Sequence, residues 1–85
     1  MKRIGVIGIV VSGDRAAVNQ MQSILSDYSD IIVGRMGVPL HENHISAISV
    51  IVSGNNERIT ALTGKLGRLN NINVKSALTS IELED

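Results

Sequence analysis

No cysteine occurs in the 85 residues. This excludes disulfides, thiolate nucleophiles, iron–sulfur ligation by thiolates and Cys-X-X-Cys metal sites. A reducing, cytoplasmic setting fits that composition. Aromatic residues are almost as scarce, since Tyr28 is the only one. The 44% apolar share must therefore build a core from Ile, Val, Leu, Ala and Met without large rings. Neither charge sign is in excess, because eight basic side chains face eight acidic ones. No overall field draws the chain to nucleic acid or to an anionic membrane, and direct nucleic-acid binding is not expected. Long hydrophobic runs are missing too. The opening MKRIGVIGIVV superficially resembles the start of a signal peptide. Its apolar run is short, Asp14 and Arg15 follow it, and no small-residue cleavage site is placed as required, so a buried strand is expected.

What is present is a duplication. Val11-Ser12-Gly13-Asp14 aligns with Val52-Ser53-Gly54-Asn55 at an offset of 41 residues (53 − 12). Upstream, Ile4, Ile7, Ile9 and Val10 fall on Ile45, Ile48, Val50 and Ile51. Downstream, Val18, Met21, Leu25 and Tyr28 fall on Ile59, Leu62, Leu66 and Leu69, and Ile31 and Val33 on Ile72 and Val74. The chain reads as one domain, residues 1–85, made of two β-α-β halves at about 3–40 and 44–83.

Each half opens with an apolar run rich in β-branched residues, ends it at Ser-Gly, and continues from Asp14 or Asn55 into apolar residues at helical spacing. The second strands, 30–40 and 71–83, are more polar, as suits less covered positions. Two right-handed crossovers give a split βαββαβ order, with the first strand of each half central and the second at an edge. The expected fold is α+β: a four-stranded antiparallel sheet of ferredoxin-like form with both helices on one face. The other face is expected to be bare, with Ile and Val side chains awaiting a partner. A chain this short buries roughly two-thirds or less of its unfolded surface. A homodimer or tetramer would supply the missing burial.

The Ser12-Gly13-Asp14 turn joins a central strand to a helix, where free N–H groups and the positive dipole end can receive a carboxylate or phosphate. Gly13 equally supplies the tight turn, and Asp14 caps the helix. Ser53, Gly54 and Asn55 form the matching turn with a neutral cap. His41 and His44, with Glu42 between them, lie in the PLHENH connection and offer zinc or nickel ligands that need completion from elsewhere. Gly64-Lys65 does not make a P-loop, because Ile59 stands where Gly is required and Leu66 where Ser or Thr is required. Thr60, Gly64 and Gly67 instead form a small-residue stripe on the second helix, suited to close approach by another backbone. Arg58, Lys65 and Arg68 lack the aromatic partners of a nucleic-acid surface. No Ser/His/Asp grouping is readable, so no catalytic residue is assigned, and no cofactor is implied.

The run IVSGNNERITALTGKLGRLNNINVKSAL, residues 51–78, resembles the iron-only hydrogenase system regulators. The βαββαβ order fits them over nearly the whole chain. The strand-Gly-helix pattern is more remotely similar to ACT regulatory domains and to the C-terminal domain of the nickel-responsive regulator. That resemblance implies an ACT-like, oligomeric, ligand-sensing domain and no enzyme. Superposing the turns puts the nickel regulator's ligand positions near Val38, Leu40 and Ser46, which cannot form its site. That regulator's DNA-binding arm finds no counterpart before the first strand, so any transcriptional control is expected to require another protein. The reading that results is a sensor of a small polar metabolite. A metal sensor using His41 and His44, or a purely structural interaction module, are its alternatives.

Overall fold

A computed structural model describes residues 2–13 and 15–84. Along the chain run β1 (Lys2–Ser12), α1 (Arg15–Asp27), a 3-10 turn (Ser29–Ile31), β2 (Ile32–Leu40), a second 3-10 turn (His41–Asn43), β3 (Ile45–Gly54), α2 (Asn56–Gly67) and β4 (Ile72–Leu83). The strands form one sheet in the order β2-β3-β1-β4, and every neighbouring pair is antiparallel. The first strand of each half is central, as the composition requires.

The sheet has two unlike faces because side chains alternate along each strand. On one face, Ile7, Ile9 and Val11 of β1 lie opposite Val50, Ile48 and Ser46 of β3. Ala17, Met21 and Leu25 of α1 and Ile59, Leu62 and Leu66 of α2 close over this face in a single core. Val18, expected in that stripe, is only half-buried, and Ala17 takes the buried place. The opposite face carries Val6, Val10, Met36, Val38 and Ile51, each at least 41% exposed. The bare apolar face is therefore present.

The second helix begins where its N-cap dictates. The Asn55 side chain accepts the Arg58 N–H at 2.8 Å, and its carbonyl accepts the Ile59 N–H at 3.1 Å. Asp14, the expected cap of α1, lies outside the described residues. Tyr28 is buried where the helices meet, with Arg58 and Lys65 stacked 5.1 and 5.2 Å from its ring centroid. The one aromatic ring thus serves as a cation platform between α1 and α2.

Candidate functional site

The end of β1 is an unusual piece of backbone. Gly13 has φ +84, His44 φ 54 and Asn71 φ 65, and these are the left-handed residues among those described. All three meet at the same end of the sheet. Gly13 N–H donates to the His44 carbonyl at 2.8 Å, and Ser12 N–H to the Asn71 carbonyl at 2.9 Å. The Ser12 hydroxyl also donates to Asn71 O, at 3.4 Å. The Gly13 N–H, expected as an anion donor, is therefore already used. Three chain reversals are tied together instead, so that His44 is held against the Gly13 turn.

This arrangement opens a hollow of about 430 Å³. Its polar wall is Arg15, His41, His44 and Ser46; its apolar wall is Val11, Val18, Pro39, Leu40 and Ile45. Two candidates that sit 28 residues apart in sequence, Gly13 and His41, line one space. Among the described residues that line it, the hollow presents a guanidinium and two imidazoles and no acidic side chain. Arg15 was missed as a candidate, although it stands two residues after Gly13 and could have been found by extending the turn. Ser46 entered only through the superposition on the nickel regulator, as a residue unable to form that metal site; its place in this hollow depends on the β1–β3 register.

Metal coordination is less well served. Among the described residues no three His, Asp or Glu side chains converge as a metal site would require, so Glu42 does not complete a set with His41 and His44. Both imidazoles nevertheless line the same hollow.

The matching turn at the end of β3 has a different character. Ser53, Gly54 and Asn55 line a hollow of about 320 Å³ with Lys2, Asp30, Ile31 and Arg58. Arg58 grips Asp30 through two nitrogens at 2.8 and 2.9 Å. That guanidinium holds the Asp30 carboxyl below its ordinary range, and Asp30 in turn raises Arg58. The Asn55 side chain is committed to its cap. Gly54 is not left-handed. It is glycine because a Cβ there would lie 2.9 Å from Ile31 Cγ2. Since Arg3 lies opposite Gly54 and Ser12 opposite Ile45, the two turns are separated by nine residues of strand, about 30 Å. The matched turns do not share one pocket within a chain.

Thr60, Gly64 and Gly67 lie on the exposed side of α2. A Cβ at either glycine would meet nothing within 4 Å, so no other part of this chain makes the close approach expected there.

The family whose description reads "Iron-only hydrogenase system regulator, putative", the TM1266-like family, matches residues 3–76. The chain belongs to that family. The structure of protein TM1266 from Thermotoga maritima is 32% identical, with a TM-score of 0.89, covering 92% of this chain and 98% of that one. The ACT domain of GTP pyrophosphokinase from Chlorobium tepidum is 18% identical with a TM-score of 0.77, covering 91% and 100%. A protein described as a "putative glycine cleavage system transcriptional repressor" is 15% identical with a TM-score of 0.72, covering all of this chain and 50% of that one. The last two show that the TM1266-like chain has the ACT-like fold. No curated protein matches the chain. No described helix is long and apolar enough to cross a membrane.

Proposed function

We propose that this regulator-family chain is a non-enzymatic, cytoplasmic sensing domain that self-associates and binds a small polar or anionic metabolite in the Gly13 hollow. The observation that carries the reading is the convergence of Arg15, His41, His44 and Ser46 on one space beside the Gly13 turn. The ligand's charge is met by Arg15 and by the ring N–H groups of the histidines, while Val11, Val18 and Ile45 accept an apolar portion. The Gly13–His44 backbone hydrogen bond holds the His44 main chain beside the turn. The bare sheet face supports self-association, since Val10 and Met36 are 41% and 66% exposed.

One observation favours binding over catalysis. Among the described residues no hydrogen bond links either imidazole to Ser46 or to a carboxylate, the pairing that activates a nucleophile. Thermal-shift screening of anionic metabolites and divalent metals, followed by calorimetry, tests the reading. A ligand at 100 times its Kd should raise stability by about 2.7 kcal/mol, and the gain should vanish in Arg15→Ala and in the His41→Ala/His44→Ala double variant. Stabilisation by metals alone, lost with the two histidines, would favour the metal-sensor reading. No stabilisation by any compound would leave a structural interaction module.

A further inference from the structure

A separate hollow lies at the sheet edge, where β2 meets α1. Gln22 and Ser26 of α1, Ser29 of the following turn, and residues 32–35 of β2 enclose about 550 Å³, within the range of small-molecule sites. Arg35 is exposed on this edge strand, and the strand register gives its side of the sheet. It lies opposite Val50, which lies opposite Ile7, and both partners are fully buried beneath the helices. Directly opposed residues share a face, so Arg35 stands on the helix-bearing side.

Among the described residues, nothing compensates the charge at this position. Arg3 pairs with Glu82 and Arg58 with Asp30, whereas among the described residues no acid is in ion-pair contact with Arg35 or lines the hollow. The surrounding groups are donors: two hydroxyls and a carboxamide. We infer that this hollow binds an oxyanion, the carboxylate or phosphate group of a small metabolite, with Arg35 as its bidentate anchor and Ser26, Ser29 and Gln22 as supporting donors. It uses none of the residues of the Gly13 hollow, so the two sites stand or fall separately. An inward-pointing charge on an edge strand can also act only as a guard against edge-to-edge pairing, and the experiment distinguishes these roles.

The intact protein, labelled with 15N, is titrated with inorganic phosphate and separately with succinate. The expected result is a saturable shift of the Gln22, Ser26, Ser29 and Arg35 amide signals with at least one of them. Phosphate alone, or succinate alone, would identify the anionic group preferred. Arg35→Lys keeps the edge charge but loses the fork, and should weaken binding at least about tenfold while circular dichroism and oligomeric state are unchanged. Saturable shifts should persist in the Arg15→Ala/His41→Ala/His44→Ala variant. The proposal is overturned if neither anion shifts those signals saturably, if Arg35→Lys binds like the wild type, or if the triple variant abolishes the response. Aggregation of Arg35→Ala without anion binding by the wild type would leave Arg35 as an edge guard.

Discussion

Gly13 and Gly54 occupy matched positions in the two halves, yet different physics requires each. At Gly13 the constraint is the backbone, since φ is +84 and a Cβ would touch nothing. Gly13→Val should therefore cost roughly 1 to 3 kcal/mol, and Gly13→Asn distinctly less, because Asn tolerates the left-handed region. Chemical denaturation of both variants checks the ranking. At Gly54 the constraint is space: Ile31 Cγ2 and Cβ would lie 2.9 and 3.2 Å from an added methyl. Gly54→Ala should cost about 1 to 3 kcal/mol by overpacking. Adding Ile31→Ala should cost less than the sum of the single changes, and a double-mutant cycle would expose that coupling; strict additivity would refute the packing explanation. Asp30 supplies a pH signature. Its carboxyl is lowered by the Arg58 hydrogen bonds, so its contribution is present above the unfolded value of about 3.9 and is lost as pH falls through the lower folded value. The melting temperature of the wild type should fall more steeply below about pH 4 than that of Asp30→Asn.

At the scale of elements, α2 was the more legible helix. Asn55 accepts from Arg58 N–H, and Ile59, Leu62 and Leu66 are buried as their spacing requires. Removing the cap by Asn55→Ala should cost about 1 kcal/mol, whereas Asn55→Asp should retain most of it; thermal unfolding of the two variants would show the difference. In α1 the helical spacing put Val18 in the apolar stripe, but packing buried Ala17 in its place. Val18 was displaced to the edge of the core, where it lines the Gly13 hollow. The edge strands were recognisable by their polarity. The helix-side placement of Arg35 was not, because it depends on the register of β2 against β3, which shifts between Ile32 and Gly34.

For the molecule as a whole, the bare face is the feature with a physical consequence. Val6, Val10, Met36, Val38 and Ile51 share one side of the sheet without a helix over them. Burying that side against a second copy would offset the small core of a short, ring-poor chain. Light scattering should report a mass above the 9.1 kDa of one chain. Val10→Glu combined with Met36→Glu should return it to one chain while preserving secondary structure by circular dichroism. A wild type that remains a stable monomer at micromolar concentration would contradict the proposed self-association.

The sequence by itself determined the architecture, because two copies of a pattern with strand and helix periods leave few ways to bury both apolar stripes on one sheet. It also determined that thiol chemistry is absent and that the core is built almost wholly from aliphatic side chains, although the structure buries the one ring, Tyr28, among them. Only tertiary structure decided which candidates meet. Gly13 and His41 face one hollow because β1 and β3 pair with Ser12 opposite Ile45, and the same antiparallel register carries Gly54 to the far end. Asp30 and Arg58 find each other for a similar reason: α1 and α2 pack side by side, and Arg58 reaches across Tyr28 to the turn beyond it. Periodicity fixes which residues point inward, but the contacts between polar groups arise from the register and packing of elements distant in the chain.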